Sequence, residues 1–185
     1  LAPENQSLVE EMFKAGLHIG HNKSKRHPKM AKYIFATRHN ISLIDLTKTV
    51  EQLKTAADYM REVLKKGGLI LFVGTNPETR DLVKALASNL NQPLVDERWL
   101  GGTLTNFKII QKRLEYFEDL INKSKTGQFE KYTKKERLML ERKLSELEKK
   151  FAGLRLLKKM PEALFVIDVN KHDTAVEEAR QTGVK

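Results

Sequence analysis

The 185-residue sequence predicts a three-layer α/β fold with a mostly parallel sheet, plus a protruding antiparallel coiled-coil helical hairpin. Three observations predict it. Strand-like and helix-like segments alternate from Leu43 onward, as in βαβ units. Leu69-Ile70-Leu71-Phe72-Val73 and Ala163-Leu164-Phe165-Val166-Ile167-Asp168-Val169 are apolar runs of the kind that strands buried on both faces require. Between these runs lie two long, highly charged segments whose apolar residues recur at helical spacing.

Residues 5–15 read as a short amphipathic helix with Leu8, Met12, Phe13 and Ala15 near one face, stopped at Gly16. Residues 16–29 read as a glycine-punctuated cationic loop. Tyr33-Ile34-Phe35 and Ile41-Ser42-Leu43-Ile44 form a β-hairpin across Arg38-His39-Asn40. A helix over 47–66 carries Val50, Leu53, Ala57, Met60 and Leu64 on one face and ends at Gly67-Gly68. After the 69–73 strand, Pro77 sits early in a helix over 77–90 whose face is Leu82, Val83, Leu86 and Leu90. Residues 93–95 are a third strand, leading to the glycine joint Trp99-Leu100-Gly101-Gly102-Thr103.

The hairpin follows that joint. Phe107, Ile110, Leu114, Phe117 and Ile121 make its first seam; Leu140, Leu144, Leu147, Phe151 and Leu154 make the second, alternating four and three. Residues 122–132 between them are polar and broken at Gly127, and Thr133-Lys134-Lys135-Glu136 is a capping box. At ~1.5 Å per residue each arm reaches roughly 25 Å, so the hairpin is expected to project. Residues 172–181 form the last helix, ended by Gly183. That helix should feed one more strand, so a C-terminal strand is read as missing. The domain reading is an α/β globular domain of residues 1–103 and 158–185, with a basic region at 14–39, interrupted by an inserted hairpin at 104–157.

The net charge of +10 is unevenly placed. Residues 14–39 hold seven Lys or Arg and no acid, and residues 108–159 hold sixteen basic against eight acidic side chains. Residues 40–107 sum to zero. Clustered positive charge draws polyanions, of which nucleic acid is the commonest in a cell. With no cysteine there is no disulfide or thiolate chemistry. No apolar stretch approaches the ~20 residues of a membrane span, and residues 1–5 read as neither a secretory signal nor a transit peptide.

Candidate chemistry is sparse. Gly74-Thr75-Asn76-Pro77 stands where phosphates bind in doubly wound folds, but it lacks a phosphate-binding signature and reads first as a tight turn. Gly101, Gly102, Thr103, Thr105 and Asn106 suit either a flexible joint or a helix start with N–H groups free for an anion. His18 and His21 are weak metal candidates, since flanking glycines oppose a helix and no nearby carboxylate completes a shell. Asp168 reads as a turn cap before it reads as an acid or a ligand. No nucleophile and base pair up, so no catalytic residue, resident metal or cofactor is expected.

Trp99-Leu100-Gly101-Gly102-Thr103-Leu104-Thr105-Asn106-Phe107 strongly resembles the signature of the ribosomal protein S-two family of the small ribosomal subunit, bacterial or organellar type. So, in the family's order, do Gly16-x-His18-x-Gly20-His21, Pro28-Lys29-Met30, Ile44-Asp45-Leu46, Leu71-Phe72-Val73-Gly74-Thr75 and the capping box. The resemblance implies a flavodoxin-like domain with a coiled-coil hairpin, and a structural, non-enzymatic protein. It implies location on a ribosome in the cytoplasm, with an organellar ribosome left open. It also implies contact with small-subunit ribosomal RNA and neighbouring small-subunit proteins, and support for docking ribosomal protein S-one, with no membrane and no small-molecule substrate. His27 departs from the aromatic residue common in the family before Pro28, so stacking there is not expected. The expected RNA contacts are Lys23, Lys25, Arg26, Lys29, Lys32 and Arg38, then Lys108, Lys112 and Arg113, with close backbone approach at Gly101–Thr105. A sugar-phosphate or nucleotide enzyme using Gly74, Thr75 and Asp168, or a purely protein-docking module, are the rival readings.

Overall fold

Two separate three-stranded sheets form, one antiparallel and one parallel. The computed structural model describes residues 3–185, and its chain divides into two units, Leu1–Glu62 and Val63–Lys185.

The first unit holds α1 (Pro3–Lys14), β1 (Ile19–Asn22), β2 (Ile34–Arg38) and β3 (Ile41–Ile44), with the strands in the order β1-β3-β2. His39 and Asn40 turn the chain between β2 and β3 with φ of 48° and 63°. Both central residues on the left-handed side make the two-residue turn that matches strand twist. β1 lies inside the stretch expected to be loop. It is held by pairing rather than by apolar burial: Ile44 N–H donates to the His18 carbonyl at 2.8 Å, while Ile19 remains exposed. Such a strand leaves no hydrophobic period to read. β3 pairs antiparallel with β2, as the expected hairpin requires, and with β1, so it belongs to the antiparallel sheet and not to the parallel one. α2 (Leu46–Lys65) starts at Asp45, whose carboxylate accepts from Thr47 N–H at 3.1 Å.

In the second unit β4 (Ile70–Val73) is central and fully buried, flanked in parallel by β5 (Leu94–Val95) and β6 (Ala163–Val166). α3 (Pro77–Asn89) joins β4 to β5, α4 (Phe107–Lys125) and α5 (Lys134–Phe151) lie between β5 and β6, and α6 (Asp173–Thr182) follows. This α/β arrangement is compatible with a flavodoxin-like fold. One apolar cluster gathers Leu71, Val73 and Val95 from the sheet and Ile110, Leu114 and Phe117 from α4. Trp99, Leu104, Phe151, Leu154, Leu157, Ala175 and Ala179 complete it, so the sheet-side halves of α4 and α5 share the sheet's core.

Two local differences from expectation have physical causes, and one glycine position is fixed by packing. α3 buries Val83 and Ala87 and leaves Leu82 73% exposed, because small Ala87 admits a closer approach to the sheet than a leucine would. The polar link after α4 contains a 3-10 turn, Gln128–Lys131, anchored by buried Phe129. Gly153, just after α5, lies so near β5 that a Cβ there would collide with the Leu94 carbonyl. The capping box forms in both directions, with Thr133 N–H to Glu136 at 3.0 Å and Glu136 N–H to the Thr133 hydroxyl at 3.4 Å. Lys185 makes the two backbone bonds of a parallel pair with β6, donating to Glu162 at 3.3 Å and accepting from Leu164 at 2.6 Å.

Candidate nucleic-acid interface

The cations expected to meet phosphate in the first unit lie on two short turns and the end of β2. Asn22 caps the 3-10 turn Lys23–Lys25, its side chain accepting from Ser24 N–H at 3.3 Å. His27 Nδ1 accepts from Lys29 N–H at 3.2 Å and opens the turn Pro28–Tyr33. His27 thus serves as a backbone cap. Lys23, Lys25, Lys29, Lys32 and Arg38 are exposed and Arg26 is half-buried. Among the described residues none of the six pairs with a carboxylate. Lys32 Nζ stands 4.8 Å from the Tyr33 ring centre, and its hydrogen bond is the first of the influences lowering the Tyr33 pKa. Short capped turns hold these charges out with little backbone freedom, as phosphate contacts require.

In the second unit Lys108, Lys112 and Arg113 are exposed on the first two turns of α4, again with no carboxylate partner among the described residues. Gln111 Nε2 donates to the Lys158 carbonyl at 2.8 Å, tying this end of α4 to the chain that returns from α5.

The joint before α4 carries the largest difference from the sequence expectation. Its N–H groups are not free. Glu178 of α6, 6% exposed, places one carboxylate oxygen 3.0 Å from Trp99 Nε1 and 2.8 Å from Gly102 N. The other oxygen accepts from Leu104 N at 2.9 Å and from Thr105 N and Oγ1 at 3.2 Å each. Gly102 takes φ +86°, a turn that a side chain would strain and that aims successive N–H groups inward. The loop is an anion nest whose anion is internal. Burial pushes the Glu178 pKa up, but the bonds from Trp99, Leu104, Gly102 and Thr105 outweigh it and hold the group ionised below the usual glutamate range. Thr103 is fully buried, its hydroxyl donating to the Leu100 carbonyl at 2.5 Å, whereas Gly101, Thr105 and Asn106 remain exposed. In the sequence Glu178 is only a charged residue at helical spacing between Ala175 and Ala179, a signal easily taken for a solvated position.

The remaining candidates serve structure. Thr75 Oγ1 lies 3.3 Å from His172 Nε2, and Asn76 Nδ2 donates to Asp168 at 3.2 Å, so the turn after β4 is tied to the loop after β6. His172 is buried, which lowers its pKa despite the nearby Asp168. His18 stacks on Phe13, ring centres 4.2 Å apart, and His21 is exposed. Among the described residues no group of three or more His, Asp or Glu is arranged to hold a metal ion. No described helix is long and apolar enough to cross a membrane.

Fold and site define an α/β protein that displays on turns and a helix start cations with no carboxylate partner among the described residues, and spends its buried carboxylate on its own loop. The chain belongs to the Ribosomal protein S2 family, whose model matches residues 12–185. It is 42% identical to the small ribosomal subunit protein uS2 of Thermus thermophilus over 173 residues, covering 94% of this chain and 68% of that protein. Proteins of the same name match from Wolinella succinogenes (42% over 176 residues, 95% and 65% covered) and Rhodopseudomonas palustris (42% over 179 residues, 95% and 53% covered). The chain thus spans between about half and two thirds of these relatives' length. The family is one of structural proteins, not enzymes.

Proposed function

We propose that the chain is a structural component of the small ribosomal subunit that binds ribosomal RNA and acts on a cytoplasmic ribosome. Family membership carries this reading, because the relatives are named as small-subunit proteins. The unpaired cations support it. In this reading Lys23, Lys25, Arg26, Lys29, Lys32 and Arg38 contact phosphates from the first unit, and Lys108, Lys112 and Arg113 do so from α4. Such contacts position the protein on a folded RNA and read shape rather than sequence. Gly101, Gly102, Thr103, Thr105 and Asn106 then act at one remove: with their inner donors held by Glu178, they fix where α4 begins while the exposed face of the loop lies against RNA.

The α4–α5 pair serves in this reading as the protruding coiled-coil arm, an insertion spanning 104–157. Leu138 and Met139, exposed on α5 among basic residues, offer a surface for ribosomal protein S-one and neighbouring subunit proteins. The test is filter binding to small-subunit RNA across a salt series, comparing the chain with Lys25→Glu plus Arg26→Glu. Losing two phosphate contacts lowers the slope of log affinity against log salt by about 2. An unchanged slope and affinity removes these two residues from the interface.

A further inference from the structure

The loops at the carboxyl ends of β5, β4 and β6 form an open cavity of about 500 Å³. In open parallel sheets ligands bind where the direction of strand connection reverses. Here β4 connects through α3 to β5 on one side, and the chain then returns past β4 to β6 on the other. The reversal lies between β4 and β6, where Thr75 meets His172 and Lys171 Nζ donates to Asn76 Oδ1 at 2.5 Å.

The wall charges have a sign. Arg98 and Lys171 line the cavity and, among the described residues, neither pairs with a carboxylate. Glu97 also lines the cavity, but Arg80 holds it at 3.1 Å, and Asp168 and Asp173 lie outside the lining. The uncompensated charge is positive, which selects an anion. The volume falls within the roughly 300–1,000 Å³ of small-molecule sites, far more than an inorganic phosphate fills. Thr75 and Thr174 supply hydroxyls at the wall, and Trp99 supplies an aromatic one.

We infer that this cavity binds a ribonucleotide, with its phosphate on Arg98 and Lys171 and its sugar hydroxyls against Thr75 and Thr174. It is a binding site without chemistry, and it uses none of the cations assigned to ribosomal RNA above. Its failure would leave that assignment untouched. Trp99 is the chain's one tryptophan, so its emission reports occupancy. The chain is titrated with uridine 5′-monophosphate, uridine and inorganic phosphate. Uridine monophosphate is expected to give a saturable change at least about tenfold tighter than either part alone. Arg98→Ala with Lys171→Ala, both exposed positions, is expected to weaken it by about tenfold or more while the loss of the Lys171–Asn76 bond lowers the melting temperature by only a few degrees. No saturable change, affinity equal to that of phosphate alone, or full affinity in the double variant overturns the proposal. A 5′-phosphorylated triuridylate that displaces the mononucleotide assigns the site to an RNA end, and one that does not assigns it to the free nucleotide.

Discussion

At Glu178 five donor groups converge on one buried carboxylate, which no other described anion is placed to replace. Glu178→Gln turns an amide NH2 toward backbone N–H groups that need an acceptor, which costs about 2–3 kcal/mol. Urea denaturation reads that loss. Because the folded pKa is lowered, the stabilisation is fully present above the ordinary glutamate pKa of about 4.3 and is lost as pH falls through the folded value. In Glu178→Gln the fall in stability below that pH becomes shallower. It does not vanish, since Lys159 and the Leu69 N–H lower Glu162 as well. Gly153→Ala drives a methyl into the Leu94 carbonyl and should cost about 1–3 kcal/mol, seen as a lower urea midpoint at unchanged slope. Neither residue stands out in the sequence. Their importance comes from partners 73 to 79 positions away for Glu178, and from a strand backbone for Gly153, and no local pattern encodes such partners.

Elements are legible where their cause is local. The capping box at Thr133 and Glu136 is a spacing of three residues, and the structure contains both of its bonds. Thr133→Ala should therefore remove about 1 kcal/mol from the first turn of α5. Hydrogen exchange at Glu136 and Arg137 should speed up about fivefold while α4 amides stay unchanged; equal rates in both proteins would show that the cap contributes nothing. The buried strand β4 is equally legible, because a run of four apolar residues needs two covered faces. β1 is not, because backbone pairing makes it. The α3 face departs from its periodicity because a hydrophobic pattern ranks leucine over alanine, whereas helix-to-sheet distance favours the small residue. In the candidate interface the sequence shows which side chains are cationic, and the capped turns that hold them emerge only in the structure.

For the whole chain, charge and family point the same way. A charge of +10 with an acid-free basic stretch destabilises an isolated protein through self-repulsion, and a phosphate backbone relieves it. Binding should accordingly fade with salt by several powers of its concentration. The most direct test is cosedimentation of this chain with small ribosomal subunits depleted of their own uS2, titrated with salt in the presence of transfer RNA. The account predicts saturable one-to-one occupancy that survives the competitor and falls when Lys25 and Arg26 become Glu. Occupancy that transfer RNA abolishes, with no saturation point, would contradict it.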